Sequence, residues 1–170
     1  IFTQNSGTLN FNPGATAANS GTYQTQGTVT LNIRSGSSFN SPLKVNSGIT
    51  NSYDAGSPYI VIYKGTVTID AGATFSAVGG GYFIQTNGNV INNGTFTSGG
   101  NSTLLVRSSS FANSGTVTPT NLEFDTTTTI AGAGSYSPLN LLIAGSGNVS
   151  LANSLSLTPT STMGINGGGI

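Results

Sequence analysis

Three observations predict an all-β chain wound as a parallel β-helix (β-solenoid). Gly, Thr, Ser and Asn number 25, 25, 23 and 19 among 170 residues, and all four are weak helix formers that suit strands or turns. Apolar residues alternate with polar ones in short runs, so each strand has one buried face and one wet face. Corner motifs return at intervals near 20 residues or multiples of it, about the length of one β-helix coil. No composition shift divides the chain, so residues 1–170 read as a single domain. Its length corresponds to roughly eight coils of about 20 residues. At the ~4.8 Å spacing of strands, that is a rod about 40 Å long.

The corners come first. Asn5-Ser6-Gly7 recurs as Asn19-Ser20-Gly21, Asn46-Ser47-Gly48 and Asn113-Ser114-Gly115, with Asn92-Asn93-Gly94 as a variant. The glycine of Gly-Thr falls at 7, 27, 65, 94 and 115, with gaps of 20, 38, 29 and 21. The gap of 29 breaks the period and calls for an inserted loop or an extra strand. Glycine at each strand start is expected to supply positive φ. Asn at equivalent corners is expected to stack into amide ladders. Thr118-Pro119-Thr120 recurs 40 residues later, and Ser41-Pro42-Leu43 recurs 96 residues later as Ser137-Pro138-Leu139.

The strands follow from alternation. Val29, Leu31 and Ile33 point one way and Thr28, Thr30 and Asn32 the other. Val67 and Ile69, and later Val149 and Leu151, repeat the pattern. With Phe96, these residues should fill one axial core. The run Tyr59-Ile60-Val61-Ile62-Tyr63 is apolar at consecutive positions. It is expected to be buried on both faces or covered by the loop 50–58.

Composition also excludes functions. The eight charged residues are four of each sign, so no patch exists to grip nucleic acid or an anionic membrane. Without His there is no imidazole base. Without Cys there are no disulfides, thiolates or cysteine-held zinc. No apolar run approaches the roughly 18 residues of a membrane span. Residue 1 is Ile and no signal peptide is visible, which reads as a mature product or a fragment.

The last third carries a family resemblance. Thr129-Ile130-Ala131-Gly132-Ala133-Gly134-Ser135 leads into Leu139-Asn140-Leu141-Leu142-Ile143. Gly147-Asn148-Val149-Ser150-Leu151 and Leu155-Ser156-Leu157 then follow. This stretch resembles the repeats of very large secreted surface proteins of Bacteroidetes-type bacteria. The resemblance implies a single-stranded right-handed parallel β-helix, type IX-like export, and an adhesin or surface-layer role. Such motifs specify fold better than function.

Candidate chemistry is sparse. Parallel β-helices include polysaccharide-cleaving enzymes, which need clustered carboxylates. The acids here are Asp54, Asp70, Glu123 and Asp125. Glu123 and Asp125 share one strand face, where a solvated surface is the plainer reading than a metal or sugar site. Asp70 ends a strand and reads as a turn residue. No Ser has a His partner for activation, and no P-loop or calcium nonapeptide is present. The expectation is therefore no catalytic residue, no metal and no cofactor.

Tyr53, Tyr59 and Tyr63 are the candidates to stack on surface glycans, with core filling or loop packing as the plainer reading. Asp125-Thr126-Thr127 resembles the short O-glycosylation motif of the same bacterial group, which would place a glycan on Thr126, with a simple turn as the plainer reading. Thr28/Thr30, Thr66/Thr68 and Thr95/Thr97 resemble the threonine arrays of some ice-binding solenoids. A regular array needs near-constant coil length, and the sequence spacing wanders. The expected function is a non-catalytic structural or adhesive rod at the cell surface. Its alternatives are a glycan-binding or polysaccharide-degrading domain and, behind those, an ice-binding solenoid. Residues 1–11 and 164–170 carry no side-chain charge to protect a strand edge. Continuation into further coils, or end-to-end self-association, is the expected partner relationship, with no nucleic acid and no membrane insertion.

Overall fold

The structure, a computed structural model, describes residues 1–11, 16–17, 21–33, 38–53, 60–78, 83–144, 148–151 and 162–166. Among them there is no helix, and the strands form three parallel sheets of eight, seven and eight strands. Each coil gives one strand to each sheet in turn. In the first coil these are Phe2–Gln4, Gly7–Phe11 and Thr16–Ala17. In the second they are Tyr23–Thr25, Thr28–Ile33 and Ser38–Phe39. The chain is thus a β-solenoid, with slightly fewer complete coils than its length suggests. One register row of sheet 1 runs Phe2, Tyr23, Leu43, Val67, Val90, Phe111, Ile130, Leu151. Successive members are 21, 20, 24, 23, 21, 19 and 21 positions apart, so coil length varies while register holds.

Alternation decides the core. Val29, Leu31, Val67, Ile69, Phe96 and Val149 are all buried, as their spacing predicts. Leu151 closes the strand Asn148–Leu151, and its side chain lies outside the described residues. Down the axis runs a column of rings, in the order Phe2, Tyr23, Phe39, Tyr63, Phe75, Phe96, Phe111, Tyr136. Neighbouring centroids are 5.1 to 6.3 Å apart, in stacked, tilted and edge-on pairs. Each such pair contributes about 0.5–1.5 kcal/mol beyond its buried area. Tyr63 is wholly buried, and its hydroxyl donates to Ser52 Oγ at 2.8 Å.

In the apolar run 59–63, the described side chains of Ile62 and Tyr63 follow the same alternation. In the strand Ile60–Tyr63, Tyr63 faces the core and Ile62 is half-buried on the outer side. Of the supposed covering loop 50–58, residues 50–53 are themselves strand, the end of Ile49–Tyr53 in sheet 2. Residues 54–58 lie outside the described residues.

The corners explain the repeated tripeptide. Asn113 Oδ1 accepts the Gly115 N–H at 3.1 Å and closes the turn, while Asn113 Nδ2 donates to the Ser135 carbonyl of the next coil at 3.2 Å. Asn92 Nδ2 donates to Asn113 Oδ1 at 2.8 Å, and both side chains are buried. The corner ladder is thus present at Asn92 and Asn113, and Asn32 to Asn10 and Asn140 to Asn121 make similar amide contacts of 2.8 Å within strands.

The reading of the glycines needs two corrections. Gly27 has φ of +67°, but Gly115 does not adopt positive φ. A Cβ on Gly115 would strike the Gly94 backbone, so glycine is needed there because coils stack too closely for a side chain. The gap of 29 is not an insertion. Gly65 precedes the sheet 1 strand Val67–Ile69, whereas Gly94 precedes the sheet 2 strand Thr95–Ser98, and the two mark different corners.

Candidate functional site

Most described charges are paired between adjacent coils. Lys44 and Asp70 meet at 3.1 Å beside sheet 1. Arg107 binds Asp125 through Nε at 2.7 Å and Nη2 at 2.6 Å, and its Nη1 donates to Gln85 Oε1 at 3.1 Å. Gln85 in turn donates to Asn87 Oδ1 at 2.7 Å. Glu123 faces outward between buried Leu122 and Phe124, and Asp125, just past the end of that strand, is near enough to repel it. Asp125 is tied to Arg107, however, and Asp70 belongs to a different sheet. Asp54 lies outside the described residues. Among the described residues, no group of three His, Cys, Asp or Glu could hold a metal. None contains a helix long and apolar enough to cross a membrane.

Glu123 lines a crevice of about 300 Å³ on the outside of sheet 3, with Thr103, Asn121, Leu122, Asn140, Leu141 and Leu142. In register, Glu123 sits between Leu105 and Leu142. This apolar setting raises its pKa: desolvation is the main cause, repulsion by Asp125 adds to it, and Arg107 partly offsets it. The crevice combines one carboxylate, two Asn side chains and leucine surface, which suits weak binding of a hydroxyl-rich ligand. The sequence signal for it was the Leu-Glu-Phe alternation. The neighbouring strands that complete it were not legible.

The other expected site residues are placed differently. Tyr63 cannot stack on a glycan, because alternation turns it into the core. Tyr53 ends the strand Ile49–Tyr53, its side chain being outside the described residues, as is all of Tyr59. The Thr126 hydroxyl is buried without a hydrogen-bond partner among the described residues, so the folded coil does not present it for glycosylation.

No family model, curated protein or solved structure matches this chain.

Sheet 2 has a different character from the crevice. Two of its outward register rows form parallel columns, beside a shorter row Asn10, Asn32, Tyr53. One runs Thr28, Ile49, Thr74, Thr95, Thr116, Ser135. The other runs Thr8, Thr30, Asn51, Ser76, Thr97, Thr118. Ten of these twelve positions bear a hydroxyl, and none is charged. Hydrogen bonds run along the columns. Thr118 Oγ1 donates to Thr97 Oγ1 at 3.2 Å, Thr97 Oγ1 to the Thr118 carbonyl at 3.0 Å, and Ser135 Oγ to Thr116 Oγ1 at 3.5 Å. Sequence spacing hid this order. The connection from sheet 2 to sheet 3 ranges from the two residues 119–120 to the six residues 54–59, which absorbs much of the variation in coil length.

Proposed function

We propose that this chain is a non-catalytic structural and adhesive rod, a module of a cell-surface adhesin or extracellular fibre. The observation that carries this reading is the unbroken register of sheet 1 from Phe2 to Leu151, with aromatic rings stacked along the axis. Every coil is bonded to its neighbours over its length, so stability accumulates by nearest-neighbour addition. A chain with few charges, most of the described ones locally neutralised, has weak colloidal repulsion and suits an anchored or assembled state. The repeats resembling large bacterial surface proteins favour the same reading. Protease shaving of intact producing cells is expected to release peptides of this chain, and confinement of the protein to the cytoplasm would sink the proposal. Incubation with plant, algal and bacterial polysaccharides is expected to yield no new reducing or unsaturated ends. Turnover that Glu123→Gln abolishes would make the rod an enzyme instead.

One observation favours a second reading, glycan binding. Glu123, Asn121 and Asn140 converge on the sheet 3 crevice. Retention of the protein on a glycan array, lost in Glu123→Gln, would support it.

A further inference from the structure

We propose that the outer face of sheet 2 is an ice-binding surface. The inference rests on the fold and the register, independently of the adhesive reading. Ice is uncharged and periodic, and a surface that holds it must be both. The two columns of sheet 2 contain no charged residue, whereas the Lys44–Asp70 pair lies beside sheet 1 and the Arg107–Asp125 pair beside sheet 3. Strand pairing spaces the side chains of one column by about 4.8 Å, and alternate residues on a strand lie roughly 6.6 Å apart. The first distance is close to the repeat of oxygens in the ice lattice, so successive hydroxyls can take the places of lattice waters.

Threonine is suited to this task for two reasons. Its β-branched side chain is stiff about χ1, so little freedom remains to be lost when ice forms against it. It also offers a methyl group beside each hydroxyl. The methyl fills hollows in the lattice without demanding a hydrogen bond, and the hydroxyl joins the lattice. The Thr97 and Thr118 hydroxyls are already oriented by their mutual contact and by the Thr118 carbonyl.

The densest patch covers three successive coils, pairing Thr74 with Ser76, Thr95 with Thr97, and Thr116 with Thr118. Ile49 and Asn51, both on the strand Ile49–Tyr53, are the one interruption in the columns. Ile49 is also among the most exposed large apolar residues. It therefore leaves the face apolar and uncharged at that coil.

The test uses the whole chain in a growing ice hemisphere and in an ice-recrystallisation assay. The expected result is incorporation into ice and small, persistent crystals. Thr97→Tyr, which places a bulky ring in the centre of the patch, should lose both, with an unchanged circular dichroism spectrum. Thr68→Tyr, on the outer row of sheet 1, should keep both. The double variant Ile49→Thr with Asn51→Thr completes the columns and should inhibit recrystallisation at lower protein concentration. Exclusion of the unaltered protein from ice would overturn the proposal, as would full activity in Thr97→Tyr. Retention on crystalline cellulose or chitin together with exclusion from ice would overturn it in favour of a sugar lattice.

Discussion

At the scale of single residues, burial changes the chemistry of the tyrosines more than that of any other group. Phenols ionise near pH 10 in an unfolded chain. Burial pushes Tyr23 up to about 12 and raises Tyr63 and Tyr136 still further, although the Ser52 and Asn113 hydrogen bonds lower them in part. Below pH 10 these phenols are neutral in both folded and unfolded chains, and their contribution is constant. Above it, the unfolded chain releases protons that the native chain keeps, so stability falls as pH rises toward the native values. Urea midpoints followed by circular dichroism should be unaffected by these phenols up to about pH 9 and decline steeply from about pH 10. The share of phenolate absorbance that is lost on changing Tyr23, Tyr63 and Tyr136 to Phe should appear together with unfolding. Free titration of Tyr23, Tyr63 and Tyr136 while the β-signal persists would contradict their burial.

At the scale of the element, the corners carry the specificity and glycine serves there for two separate reasons. Gly72 has φ of +78° and open space around it, so Gly72→Ala meets only backbone strain, about 1–2 kcal/mol. Gly115 has no positive φ, but its added Cβ would press on the Gly94 backbone of the preceding coil. That contact is backbone on backbone and cannot be relieved by a rotamer change. Gly115→Ala should therefore lower the thermal midpoint more than Gly72→Ala. Equal losses would show that coil spacing at that corner is slack. The strands themselves are more tolerant, since outward positions such as Thr68 touch solvent and carry only the register.

At the scale of the whole molecule, a solenoid has ends, and ends expose strand edges. Phe2–Gln4 lies at the edge of sheet 1, and Phe2 is 53% exposed while stacking on Tyr23 with one face. A further parallel coil, of the same chain or of a second copy, would meet an apolar ring and unused backbone groups there. We expect the 170-residue chain to gain mass with concentration in sedimentation, with short rods visible by electron microscopy. Phe2→Asp should reduce that association, because a charge would have to be buried in the joint. A monomer at every concentration would show that this edge is inert. Head-to-tail contact of this kind does not close on itself and leads to fibres.

Much of this was legible in the chain alone. Strand identity, the solenoid class and the core positions Val29, Val67 and Phe96 follow from alternation, which is a local property of the backbone. The Asn92–Asn113 contact was also readable, because Asn92-Asn93-Gly94 and Asn113-Ser114-Gly115 place an amide at the same corner of successive coils. Register was not readable. It depends on how many residues each connection absorbs, and the two glycines at 65 and 94 look alike in sequence while serving different corners. For that reason the tertiary structure decided three things. It decided that Tyr63 is a core ring and not a glycan contact, and it brought leucines from neighbouring strands around Glu123. It also aligned threonines of irregular spacing into two columns. For the Glu123 crevice and the threonine columns the partners come from other coils, some 20 residues away, and only their stacking fixes which side chains meet.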